Sequence, residues 1–192
     1  NKYHPAKKFK DKYPITGVTF DRKKSLIYIA NKSDSSVLVL NSSLKVNAHH
    51  KNISAFHLSV NSNSGELYYL ESKGRKQMFL SSMDSSGERK NLYDYSSAQR
   101  ERPPRRVLVL SDENIVTAGG YQLFKHDKNG KLLGTVKIEG SPETLLETSK
   151  YISLVYRDIG HEKGSFFSEV HLHSKSKGDL KKVIPVRYES RW

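Results

Sequence analysis

Four arginines surround a pair of prolines in the segment from Arg100 to Arg106, which reads RERPPRR. A guanidinium can form two parallel hydrogen bonds to a phosphate, sulfate or carboxylate group. Because the prolines hold the chain extended, the segment predicts an exposed binding element formed by Arg100, Arg102, Arg105 and Arg106. The alternative is an exposed linker whose charge contacts no partner.

Aromatic residues and excess positive charge support the same interpretation. Tyr93, Tyr95 and Tyr121 lie near the arginine segment in sequence, and their rings can stack on bases or sugars. With 33 Lys and Arg against 20 Asp and Glu, the net charge is +13, which attracts polyanions such as an acidic protein, a glycan or RNA. A lysine-rich surface also keeps β-sheet edges from pairing, so the charge has a purely structural explanation as well.

The histidines give a second candidate site. His171 and His173 are two residues apart, so on a β-strand both rings face the same side. Such a pair can begin a metal site, which needs a third ligand. The other histidines show no recognisable spacing to this pair. Histidines that only pack within a sheet are the alternative.

The elements that carry these residues come in repeats. Short alternating runs ended by Gly, Asn, Asp or Ser predict strands, and four sets of four such runs begin at Gly17, Ala55, Arg106 and Pro142. Four-stranded units at this period indicate an all-β propeller. We predict a single propeller domain over residues 1–192, with blades at about residues 15–50, 55–96, 105–138 and 142–189.

Two of the repeats resemble known families. Gly65–Glu71 (GELYYLE) with Met83–Gly87 (MDSSG) resembles the YWTD repeat of lipoprotein-receptor propellers, although Leu70-Glu71 replaces its Thr-Asp pair. Gly17–Asp21 with Leu26–Asn31 is similar to NHL and SdiA-regulated repeats. The resemblance covers most of residues 15–190 as a strand and turn pattern, and it assigns no single family.

The resemblance carries further implications. Such propellers usually close with six blades, so four blades form a small ring, a fragment, or part of a larger propeller completed by blades of another chain. Some NHL propellers bind RNA on a basic face. Related hydrolases and lactonases hold a central calcium ion with oxygen ligands from their inner strands. The matching positions here are Asp21, Asn61, Asp112 and Glu147, one in each cycle, and oxygen is the ligand that Ca²⁺ prefers.

The composition excludes several kinds of functional site. The sequence has no cysteine, which excludes disulfides, thiolate zinc sites and thiol nucleophiles. It contains no run of 18 apolar residues, so no membrane span is predicted. Neither a Ser-His-Asp order nor a glycine-rich phosphate loop is present. The compartment stays open, with an extracytoplasmic or secreted setting favoured by the YWTD resemblance and the N-x-S sequons at Asn31, Asn41 and Asn52.

Three functional hypotheses follow. The leading one is a non-catalytic binding module that uses the loops of one propeller face to bind a protein or a polyanion. The alternatives are single-stranded RNA binding by an NHL-like basic face and a calcium-dependent hydrolase or lactonase. The second strand of each blade is predicted to form the core, through Leu26, Ile27, Ile29, Leu67, Tyr69, Ile115, Val116, Ile152 and Leu154.

Overall fold

The chain folds into four antiparallel sheets, each with four strands. A computed structural model describes residues 15–73, 77–96, 103–162 and 165–189, and no α-helix occurs in these ranges. The strands are β1 Ile15–Asp21, β2 Leu26–Asn31, β3 Ser36–Leu40, β4 Val46–Lys51, β5 Ala55–Val60, β6 Leu67–Ser72, β7 Met78–Met83, β8 Arg89–Asp94, β9 Arg106–Val109, β10 Ile115–Gly119, β11 Gln122–His126, β12 Leu132–Lys137, β13 Thr144–Glu147, β14 Tyr151–Glu162, β15 Ser165–Ser174 and β16 Leu180–Glu189.

Each sheet is a simple meander in which consecutive strands pair. We call β1–β4 blade 1, β5–β8 blade 2, β9–β12 blade 3 and β13–β16 blade 4. Asx side chains close the tight turns: Asp84 Oδ1 accepts hydrogen bonds from the amides of Ser86 and Glu88, and Asp127 Oδ1 does the same in blade 3. Because these pairings are local, the strands and turns can be predicted from the sequence pattern.

Apolar side chains seal the three junctions between consecutive blades. Tyr28 and Val39 of blade 1 pack with Leu58 and Tyr69 of blade 2. The opposite face of blade 2 packs on blade 3, and the other face of blade 3 packs on blade 4. Four-stranded blades stacked face to face form an all-β propeller, so the predicted fold class is confirmed.

Within the described residues, the outer face of blade 1 lacks the cover that the equivalent faces of blades 2 and 3 receive. Val18 pairs with Ile29 in blade 1, and this pair is equivalent to Val107 and Thr117 in blade 3. Val107 is 1% exposed because blade 2 covers it, whereas Val18 is 57% exposed and Phe20 is 49% exposed. The last blade likewise leaves Leu146 and Val186 exposed on its outer face.

This open face corrects part of the predicted core. Six of the nine second-strand residues are buried, namely Leu67, Tyr69, Ile115, Val116, Ile152 and Leu154. Leu26, Ile27 and Ile29 are only partly buried. Ile27 pairs with Phe20 and Ile29 with Val18, so their side chains share the uncovered face of blade 1. The alternating pattern predicts the correct strand, but it does not show whether a neighbouring blade covers each face of that strand.

The equivalence of Val18 and Val107 allows a matched comparison. Val107→Ala removes two buried methyl groups, and we expect it to lower the free energy of unfolding by about 1.5–2.5 kcal/mol. Val18→Ala makes the same change on an exposed face and should cost less than about 0.5 kcal/mol. Urea denaturation at a concentration where the chain is monomeric measures both. Equal losses would show that the outer face of blade 1 is covered.

No helix within the described residues is long and apolar enough to cross a membrane.

Candidate functional site

A cleft with a volume of about 810 Å³ lies between blades 3 and 4. Tyr121, Lys137 and Glu139 line it from the side of blade 3, and His171 and His173 line it from β15. The two histidines pair with Leu154 and Ile152 of β14, which pack against blade 3. The predicted shared orientation of the pair therefore holds, and it directs both rings into a blade junction.

His173 carries a free nitrogen in this cleft. The side chain is 2% exposed, and its Nδ1 lies 2.7 Å from the carbonyl oxygen of Gly178. Because a carbonyl only accepts hydrogen bonds, Nδ1 holds the proton and Nε2 holds a lone pair. Nε2 is buried and has no hydrogen-bond partner among the described residues. Burial lowers the pKa of His173, which favours this neutral form.

His171 is held by a carboxylate. Its Nε2 lies 2.7 Å from Glu169 Oε2, and the histidine is buried while Glu169 is partly exposed. The ring of Tyr156 packs 4.6 Å from the ring of His171. The Tyr156 hydroxyl is buried without a partner in the described chain, and burial, followed by the charges of Glu139 and Glu169, raises its pKa.

Glu139 completes a cluster that the sequence did not reveal. The ligand atoms of Glu139, Glu169 and His171 all lie within 4.8 Å of one another. Glu139 is on the connection between blades 3 and 4, just after β12, so it reaches the histidines only through the packing of those blades. No short motif marks a contact of this kind, which is why sequence spacing offered no third ligand for the histidine pair.

A second feature follows from the meander topology. The first strand of each blade starts, and the fourth strand ends, at the same rim, which also carries the hairpins between second and third strands. We call this the connection rim, and the opposite edge the turn rim. Exposed cations on the connection rim within the described ranges are Lys32, Lys51, Lys73, Arg105 and Lys137.

The connection rim brings Arg105 to the hairpin that carries Tyr121. The amide of Arg105 donates a 2.8 Å hydrogen bond to the carbonyl oxygen of Ala118. The backbone of Pro104 approaches Gly119 so closely that a Cβ there would lie 2.6 Å from Pro104 Cα. Arg105 is exposed, and Tyr121 is 51% exposed. Their side chains therefore lie on one rim, as the sequence proposal required.

The other proposed binding residues fall into different environments. Arg106 bonds the carbonyl oxygen of Glu143 and pairs with its carboxylate at 3.2 Å, so it joins blades 3 and 4. Tyr95 is buried, with its hydroxyl 2.7 Å from Thr117 Oγ1, and Tyr93 packs against it. We leave Arg106, Tyr93 and Tyr95 out of the proposed surface because these contacts already occupy them. Arg100 and Arg102 lie outside the described residues.

The proposed calcium ligands lie at strand ends on the turn rim. Asp21 and Asn61 each accept two backbone amides of their own turn, and Asp112 accepts one. Glu147 pairs with Lys175 at 2.6 Å and accepts hydrogen bonds from Ser111. Within the described ranges, the three side chains that lie close enough together to hold a metal ion are Glu139, Glu169 and His171. Turn closure therefore accounts for Oδ1 of Asp21, Asn61 and Asp112, and the ion pair with Lys175 accounts for Glu147. Oδ2 of Asp21 is buried without a hydrogen-bond partner among the described residues.

Comparison with known proteins supports the fold. No family model matches the sequence, and curated proteins give no significant match. Similar solved structures include hydrazine synthase of Kuenenia stuttgartiensis (TM-score 0.68, 13% identity, 96% of this chain and 53% of that chain). Virginiamycin B lyase from Staphylococcus aureus is also similar (TM-score 0.60, 13% identity, 92% of this chain and 56% of that chain). So is the Pan2 WD40 domain of Neurospora crassa (TM-score 0.58, 15% identity, 90% of this chain and 50% of that chain).

These matches confirm the propeller repeats without assigning a family. The chain spans about half the length of the solved structures named above. A synthase, a lyase and a WD40 domain all share this architecture, so the fold accommodates both binding modules and enzymes.

Proposed function

We propose that this chain is a non-catalytic binding module whose connection rim binds a polyanionic partner. The observation that carries the proposal is the exposed Arg105, whose backbone is fixed by Pro104 against Gly119 beside the exposed ring of Tyr121. Its side chain has no hydrogen bond or ion pair within the described part of the chain. Because the backbone of Arg105 is already ordered, binding an anion costs only the freedom of its side chain.

The charges around Arg105 favour an anionic partner. Lys32, Lys51 and Lys73 are exposed on the same rim. Among the carboxylates of this rim, Glu143 pairs with Arg106, Asp34 accepts a hydrogen bond from Ser36, and Glu139 is exposed. With a net charge of +13, long-range attraction accelerates the encounter with an acidic protein surface, an anionic glycan or single-stranded RNA. We therefore assign anion binding to this rim, and the titrations below distinguish an acidic protein, a glycan and RNA as the partner.

A salt-dependent binding assay tests this function. We expect Arg105→Ala to weaken binding of a heparin oligosaccharide about tenfold, which corresponds to one charge-assisted hydrogen bond. Stability should change by less than about 0.5 kcal/mol because the side chain is exposed. Arg22→Ala is the matched control, since Arg22 is exposed on the turn rim and its loss changes the net charge equally. Equal weakening by both variants would contradict a site on the connection rim.

Titration with RNA and with an acidic protein separates the partner classes. For single-stranded RNA, the logarithm of the binding constant should fall by about 0.7 per phosphate contact for each tenfold rise in salt. Preference for RNA over heparin at equal charge would favour the NHL-like alternative. Equal binding of all polyanions would indicate recognition of charge alone.

We also propose that blades of a second copy of the chain cover the outer faces of blades 1 and 4. The junction would repeat the one formed three times within the chain, because Val18 and Phe20 occupy positions that a preceding blade covers elsewhere. Two copies joined head to tail would close by two-fold symmetry. The like charges of the copies repel, so salt should strengthen this association, in contrast to polyanion binding.

Light scattering with small-angle scattering tests the second copy. We expect a mass above 21.9 kDa that rises with salt and is lost in Val18→Asp, which removes an exposed apolar contact without touching the core. A compact monomer under all these conditions would contradict the proposal.

A further inference from the structure

We infer that the cleft between blades 3 and 4 is a divalent transition-metal site formed by Glu139, Glu169 and His171, with His173 beside them. This site is distinct from Arg105 and from the proposed calcium ligands on the turn rim. It also extends the histidine pair seen in the sequence, because the blade junction supplies the carboxylates that the pair lacked.

The geometry of the cluster is close to that of a bound ion. The ligand atoms of Glu139, Glu169 and His171 lie within 4.8 Å of one another. Bonds of about 2.0–2.2 Å to nitrogen and oxygen place ligand atoms about 3.3–3.5 Å apart around Zn²⁺. The widest separation must therefore shrink by little more than about 1 Å, while the 2.7 Å contact between His171 and Glu169 must lengthen. Glu139 is exposed and Glu169 is half-buried, and their side chains can make this movement without opening the core.

His173 provides an independent indication of a ligand. A buried polar atom without a hydrogen bond costs about 1–3 kcal/mol, and nearly all such atoms in folded proteins have a partner. Nε2 of His173 is buried in the wall of this cleft without one among the described residues. Its Nδ1 already donates to Gly178, which is the supporting contact that orients metal-binding histidines. Nε2 therefore presents the lone pair that a metal takes.

The donor set indicates the class of metal. Imidazole nitrogen suits Zn²⁺, Fe²⁺, Ni²⁺ and Cu²⁺, whereas sites made only of carboxylates and carbonyls suit Ca²⁺ and Mg²⁺. A mixture of imidazole and carboxylate donors therefore favours Zn²⁺ over Ca²⁺. Three firm ligands would leave a position open for water or for a group of the partner.

Lys137 gives the main physical alternative. It lines the same cleft, and its ammonium group can neutralise the carboxylates of Glu139 and Glu169 without any metal. In that case a proton stays on His171 Nε2 for its 2.7 Å contact with Glu169. Lys137→Met should strengthen metal binding, since it removes the competing cation.

Calorimetry with Zn²⁺ and absorption spectroscopy with Co²⁺ test the site in the full chain. We expect one saturable Zn²⁺ site and a Co²⁺ spectrum typical of four- or five-coordinate nitrogen and oxygen ligation. Glu139→Gln should weaken Zn²⁺ at least tenfold, and because Glu139 is exposed the variant should fold normally. His171→Ala should abolish the Co²⁺ spectrum, with circular dichroism as the check on folding.

His49→Ala is the matched control. His49 also lies beside a carboxylate, with Nε2 at 3.8 Å from Asp34 Oδ2. This pair is on the surface of blade 1, and no third metal-binding side chain among the described residues joins it. Its removal should leave Zn²⁺ affinity unchanged. Absence of saturable binding would overturn the inference. So would equal weakening by His49→Ala and Glu139→Gln, or unchanged affinity in Glu139→Gln.

Discussion

Tyr69→Ala should lower the free energy of unfolding by about 3–5 kcal/mol, the range for removing a buried aromatic side chain. Tyr69 is fully buried and packs in the junction of blades 1 and 2 with Tyr28 and Leu58. The substitution leaves a cavity where two blades meet, so it weakens both. The phenol hydroxyl adds nothing to this stability, because it is buried without a partner among the described residues.

Chemical denaturation of three variants separates these contributions. Tyr69→Phe should be at least as stable as the original chain, since it keeps the ring and removes only the unpaired hydroxyl. Tyr121→Ala is the control because Tyr121 is exposed, and it should change stability by less than about 0.5 kcal/mol. A small loss in Tyr69→Ala would contradict the packing of blade 1 on blade 2.

Stability should also fall by about 3 kcal/mol through His126 alone as the pH drops from 6.5 to 4. His126 is buried, and burial lowers its pKa from 6.5 to about 4. In this window the unfolded chain binds a proton that the folded chain does not, so acid favours unfolding. The stabilisation is complete above pH 6.5 and is lost as the pH falls to about 4.

Burial makes charging His126 costly, and a hydrogen-bond network holds its neutral ring in place. Its Nε2 lies 2.9 Å from the Tyr95 hydroxyl, and its Nδ1 lies 3.2 Å from the carbonyl oxygen of Gly130. Denaturation at several pH values in His126→Gln should show a shallower acid limb than the original chain. His57, whose pKa burial also lowers to about 4, should keep part of the slope. Identical limbs would contradict a neutral, buried His126.

The fold was accessible from the sequence because its rules are local. Alternating runs ended by turn residues such as Asp84 and Asp127 define each hairpin, and a meander needs no long-range pairing. The exposure of Ile27 and Ile29 was not accessible, since it depends on whether a blade lies against blade 1. Alternation reports that a strand has two different faces, but it does not report whether each face has a neighbour.

The candidate site was only partly accessible. The shared face of His171 and His173 follows from strand geometry, but Glu139 meets them only because blade 4 packs on blade 3. Proximity in sequence also does not show the surroundings of the residues near the arginine segment. Tyr95 and Arg106 have the residue types of a binding surface, yet one is buried and the other is paired with Glu143.

Mapping a bound heparin oligosaccharide by amide chemical shifts tests the central claim, that the connection rim binds polyanions, most directly. We expect salt-sensitive changes in the amide chemical shifts of Lys32, Lys73, Arg105 and Tyr121, which share that rim. The amide shifts of the Asp84 and Asp127 turns on the turn rim should stay unchanged. Shifts centred on those turns, or no shifts at low salt, would contradict the account.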